Sequence, residues 1–303
     1  MSPVAPLVRQ ILPRKGGGGG HGGGDGGGGD GGHGGDAGDS GSEGESSAED
    51  VPVSGATDGE SDAEAYGSGG GSSSVIPSGQ PFAGRASGGG TRGEVYGTYE
   101  YGSGYPGLPA GTVSGRGFPF VYWPVIWHSP GYGAPYLYDP EYGTPWNTSR
   151  PGGPLAEATF ASKSANSTFY VISDKSTVAS LITSVSKNCT LGGGSSAAPS
   201  AFNATASEPQ PEQAVQYYRA SSVVLLLDGY NNTNALAEGG GDASATAVAL
   251  PDWVDHSLLA CLHDTIGGAV PLFSGGAPAR AHAPNFAVLI VMWWFLWRLC
   301  DEA

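Results

Sequence analysis

Residues 167–189 read STFYVISDKSTVASLITSVSKNC, and two kinds of pattern meet inside that stretch. Ser167 to Ser173 is a dense run of β-branched and aromatic residues, as a strand requires. Beyond it, Val178, Leu181, Ile182 and Val185 fall at i, i+3, i+4 and i+7, one face of an amphipathic helix. Ser173 or Asp174 stands where a capping oxygen would accept from the first turn, and the helix is expected to end near Cys189. Upstream, ATFAS at 158–162 is a second strand-like run, separated from the first by the polar turn 163–166. A β-hairpin that feeds a helix is therefore expected.

Working outward, PEQAVQYYR at 211–219 carries Pro211 where a helix tolerates proline, in its first turn, and predicts a short helix. SVVLLLDG at 222–229 is a continuous apolar run ended by Asp-Gly, the pattern of a strand buried on both faces. Pro251 to Gly267 predicts a last helix, with Val254, Leu258, Leu262 and Ile266 on one face and Gly267 as its C-terminal cap. The fold class expected is α+β: one small module over 154–273, ordered hairpin–helix–helix–strand–helix. Cys189 and Cys261 fall at the end of the first helix and inside the last. Left reduced they are two buried thiols; joined, they close a long loop worth ~4 kcal/mol in the chain-entropy model.

The flanks have another character. The chain holds 54 glycines and 23 prolines in 303 residues with no collagen-like period, a level that marks low complexity. Gly16 to Gly38 contains 17 glycines in 23 residues; His21, Asp25, Asp30, His33 and Asp36 lie among them, but glycine fixes no ligand in place, so a spacer is expected and no metal. Twelve acidic residues and no basic one separate Lys15 from Arg85, and residues 1–94 are expected to be a disordered arm. The net charge of −15 excludes a nucleic-acid partner, which needs clustered cations.

Between Val95 and Asn147 lie nine of the 14 tyrosines and three of the seven tryptophans. Prolines break every run there, so 95–153 is expected to be extended and turn-rich. Its rings have two readings. They fold back onto the module that follows, or Tyr122, Trp123 and Trp127 stack against a ligand such as a cell-wall polysaccharide.

Asn147, Asn166, Asn188, Asn203 and Asn231 each open an N-x-Ser/Thr sequon. They are five of only eight asparagines in the chain. Such a density points to the secretory pathway, where the Cys189–Cys261 disulfide is also favoured. Met1 to Lys15 does not read as a signal peptide, because Pro3, Pro6, Arg9 and Pro13 interrupt it; secretion therefore implies a start other than the recorded one. At the other end, FAVLIVMWWFLW at 286–297 is twelve apolar residues, which as a helix reach ~18 Å against a hydrocarbon core of ~30 Å. A glycolipid-anchor signal fits that length better, with Ser274 or Gly275 as attachment site and residues 274–303 as spacer and tail. A short transmembrane helix or a tail anchor are the other readings, and each makes the membrane a partner.

Catalytic patterns are sparse. Asp228 ends the apolar strand, and Asp252, Asp255, His256 and His263 lie on or near the last helix, which offers a carboxylate and an imidazole for an acid/base pair. Asp228 equally suits an Asp-Gly turn, and Asp252 or Asp255 a helix cap. The sequence holds no nucleophile elbow, HExxH, Cys-x-x-Cys or P-loop, so no enzyme activity and no cofactor are expected.

YGSGYPG, GRGFPFVYWPVIW, EYGTPWNTSRPGGPL, VQYYRASSVVLLLDGYNN and LLACLHDTIGGAVPL together resemble a family of glycine-rich, N-glycosylated proteins of mushroom-forming fungi. The resemblance spans roughly Glu94 to Leu272. It implies a secreted or membrane-attached glycoprotein and no particular activity.

Overall fold

In chain order the elements are strands β1 (Glu49–Pro52), β2 (Asp62–Ala65), β3 (Ser74–Val75), β4 (Ala86–Ser87), β5 (Leu155–Ala161) and β6 (Thr168–Asp174). Helix α1 (Lys175–Asn188) follows, then β7 (Ser200–Ala201), β8 (Ala214–Tyr218), β9 (Val223–Leu227) and helix α2 (His256–Ala269). The computed structural model describes residues 48–55, 60–108, 110–127, 140–205, 207–236 and 247–274, all in the unit that begins at Ser46.

The fold is mixed α+β. Strands β5 and β6 form the expected antiparallel hairpin at the centre of a five-stranded sheet ordered β7-β5-β6-β9-β8. Every pairing in that sheet is antiparallel. All five residues of β9 are buried, as its unbroken apolar run requires of an inner strand. Asp174 caps α1 by accepting from the Thr177 N–H at 3.0 Å, and Val178, Leu181, Ile182 and Val185 are all buried. Helix α1 packs on β5 and β6, and α2 on α1.

The structure departs from the expected order at two places. PEQAVQYYR is not a helix: Pro211–Gln213 is one 3-10 turn, and β8 follows it. Pairing with β9 buries Tyr217 and Tyr218, which a short helix at this point would not match, and a bulge between Ala214 and Gln216 sets their register. Tertiary pairing thus overrides a local helix start. Nor does Gly267 end the last helix, which runs on to Ala269. A Cβ at Gly267 would strike the Tyr96 hydroxyl, so this glycine serves close packing rather than a cap.

Described residues upstream of 154 belong to the same core. Residues 48–94, expected in a disordered arm, form the hairpins β1–β2 and β3–β4 and bury Val51, Val53, Ala63 and Ala65. Glu64 exchanges two backbone hydrogen bonds with Leu272, at 2.8 and 3.0 Å. Residues 1–47 and 56–59 of that arm lie outside the described residues. Residues 95–98 run beside β8, with Gly97 N–H donating to Tyr217 and Tyr217 N–H to Thr98; the sheet edge is covered.

Between β8 and β9 the backbone takes three consecutive left-handed residues, Arg219, Ala220 and Ser221, at φ 51°, 49° and 57°. Each costs ~1–2 kcal/mol outside glycine, so the surroundings must hold them. Arg219 Nε donates to Ser222 Oγ at 2.8 Å and Nη1 to the Pro271 carbonyl at 2.8 Å. Ser221 Oγ accepts from Gly102 N–H at 2.9 Å and donates to the Ser103 carbonyl at 3.1 Å. The aromatic segment and the sheet are therefore locked at one buried turn.

Candidate functional site

The sequons lie at the ends of elements. Asn166 is in the β5–β6 turn, Asn188 closes α1, and Asn203 and Asn231 follow β7 and β9; all four are exposed. Asn147 is half-buried in an Asx-turn, its Oδ1 accepting from Ser149 N–H at 2.9 Å. Asn188 differs from the others. Its carboxamide nitrogen donates to Tyr66 Oη and to the Ser184 carbonyl, both at 2.9 Å, which uses both of its N–H groups.

Cys189 and Cys261 stand at disulfide distance, with Cα atoms 5.8 Å apart and a separation of 72 positions in sequence. The pair joins the end of α1 to the second turn of α2.

Tyr122, Trp123 and Trp127 offer no stacking face. They are 2 %, 5 % and 2 % exposed, and each is committed to the interior. Trp123 meets Phe82 edge-on at 4.8 Å, and Trp127 Nε1 donates to Tyr217 Oη at 3.1 Å. Tyr122 lies under the Arg219 guanidinium, 3.4 Å from its ring centroid. The rings fold back onto the module, as the first reading of this segment expects, and the ligand platform that the second reading builds from them is withdrawn. Arg150 is 1 % exposed and spans the same region, Nη2 donating to the Trp123 and Pro124 carbonyls at 2.9 and 2.7 Å. Burial pushes its pKa down to about 10.

The candidate acids and bases do not converge. His263 Nδ1 sits 3.1 Å from Tyr218 Oη, and Tyr218 pairs with Val223 at the start of β9. Asp228 follows the other end of that strand, ~17 Å away for five residues. Asp255 caps α2, accepting from the Ser257 and Leu258 N–H groups at 3.0 Å. Bonds from Ser162, then from that backbone, hold its carboxyl below the usual range. No hydrogen bond joins Asp228 to His256 or His263. Among the described residues no group of His, Cys, Asp and Glu could hold a metal.

One cleft of about 460 Å³ opens where β6 begins and β9 ends. Tyr170 comes from β6, Glu212 and Gln213 from the 3-10 turn before β8, and Asp228, Tyr230 and Asn231 from the turn after β9. Glu208 braces the rim, accepting from Asn203 and Thr205 N–H at 3.0 and 2.6 Å. The sequence reading missed this site, since its walls are scattered over sixty positions; its one local sign is the sequon at Asn231 three residues after Asp228.

Ser274 is half-buried, bridges Gly70 and donates to the Glu64 carboxylate. Gly275 and the apolar tail lie outside the described residues, among which no helix is long and apolar enough to cross a membrane. No family model, curated protein or solved structure matches the chain.

Proposed function

We propose that this chain is a non-enzymatic glycoprotein of the cell surface or cell wall. It would be folded in an oxidising compartment and attached to the membrane through its C-terminal tail. The observation that carries the reading is the placement of the sequons. Four of the five acceptor asparagines are exposed at element ends, where a bulky glycan points into water. The cysteine pair at disulfide distance supports the same compartment. The resemblance to glycoproteins of mushroom-forming fungi agrees with it.

Membrane-impermeant labelling of intact cells tests the reading, combined with phosphatidylinositol-specific phospholipase. Surface labelling with release by the phospholipase supports a glycolipid anchor at Ser274 or Gly275. Labelling without release supports a transmembrane tail. Protein that labels only after the cells are broken open contradicts the proposal.

A further inference from the structure

We propose that the cleft at the end of β9 is a saccharide seat, and that its occupant is the chain's own carbohydrate on Asn231. The inference rests on the secretory reading above and adds a binding site to it. Asn231 is exposed and forms part of the cleft wall, so the first sugars attached to it begin at the opening. At about 460 Å³ the cleft falls within the ~300–1,000 Å³ of small-molecule sites.

Its chemistry suits a neutral sugar. Tyr170 brings aromatic carbon and one edge of polar oxygen, while Tyr230, buried with its hydroxyl donating to the Val248 carbonyl, forms the floor. Asp228 and Glu212 supply carboxylates that accept from no donor among the described residues, and Gln213 adds amide N–H groups beside them. Sugar hydroxyls and the N–H of an N-acetyl group are donors that such acceptors take up. No basic residue lines the cleft, which disfavours sialylated or phosphorylated glycans.

The tether decides whether weak binding is enough. A sugar on a short flexible link sees an effective concentration in the millimolar range. Millimolar affinity, ordinary for so small a contact, therefore keeps the proximal rings in the cleft much of the time. The effect is to cover three carboxylates at the mouth of the sheet with the molecule's own carbohydrate.

The test is the rate at which peptide-N-glycosidase releases each glycan from the native full-length glycoprotein. Mass spectrometry follows release site by site. Asn166, exposed in the hairpin turn and not part of the cleft wall, is the internal reference. Release at Asn231 is expected to be about twofold slower than at Asn166, the factor that an effective concentration equal to the dissociation constant produces. The double variant Asp228→Asn, Glu212→Gln keeps side-chain shape and should bring the two rates together. Denaturation of the wild type should do the same. Equal rates on the native wild type, a slow Asn231 unaffected by the double variant, or a bare Asn231 beside four occupied sites would each overturn the seat. Five bare asparagines would instead overturn the secretory reading itself.

Discussion

Arg219 and Asp174 form an ion pair shielded from water: Nη2 stands 2.7 Å from Oδ2, with side chains 0 % and 3 % exposed. The same aspartate caps α1, and the same arginine holds the left-handed turn between β8 and β9. Removing one buried partner leaves the other charge uncompensated. Asp174→Asn should therefore destabilise the fold by ~3–5 kcal/mol, measured by urea unfolding of the purified protein. Arg219→Lys should not rescue the site, because one ammonium cannot reach Asp174, Ser222 and Pro271 together as the planar fork does.

Trp123 is interior and Trp146 is 60 % exposed. Trp123→Ala should cost ~3–5 kcal/mol by leaving a cavity against Phe82 and Arg150. Trp146→Ala should stay within ~0.5 kcal/mol of the parent. Thermal unfolding of the two variants side by side distinguishes them. Equal, small effects would return the aromatic segment to the surface.

What the sequence made legible follows from the range of the forces involved. Helix α1 was readable because Asp174 and the apolar face of Val178 to Val185 sit within one local window. Strand β9 was readable because only an inner strand tolerates five apolar residues in a row. Strand β8 was misread because Pro211 and the residues after it satisfy a helix start locally, and only pairing with Val223 to Leu226 decides otherwise. The hairpins at 49–65 and 74–87 escaped for a similar reason. Their stability comes from distant partners, such as Leu272 for Glu64, and composition alone suggested disorder. The cleft was least legible, because Tyr170, Glu212 and Asp228 meet only once the sheet exists.

Burial, and after it the charge of Glu208, pushes the Glu157 carboxyl up to about 7. A carboxyl with a raised pKa binds its proton more tightly folded than unfolded. Its contribution is thus fully present below about 4.5 and is lost as pH rises through about 7. Because Glu157 is only half-buried, solvent screening keeps the effect small. Glu157→Gln should flatten the decline in melting temperature across that window, and an unchanged slope would contradict the assignment.

Asn188 is exposed, but both of its amide N–H groups are taken by other residues of the chain, and its neighbour is Cys189. Cys261 Sγ lies 3.4 Å from the Asn188 carbonyl, so closing the cysteine pair also fixes the sequon. Asn188 should be the least occupied of the five sites. In Cys261→Ser its occupancy should rise while Asn166 and Asn203 stay as they were. Site-resolved mass spectrometry reads all of them in one digest, and an unchanged Asn188 would contradict the coupling.

The most direct measurement is a non-reducing peptide map of the protein taken from its own cells. The account requires the peptides of Cys189 and Cys261 to run as one cross-linked species, with hexose-containing mass on Asn166, Asn203 and Asn231. Two separate free-thiol peptides alongside unmodified asparagines would contradict it.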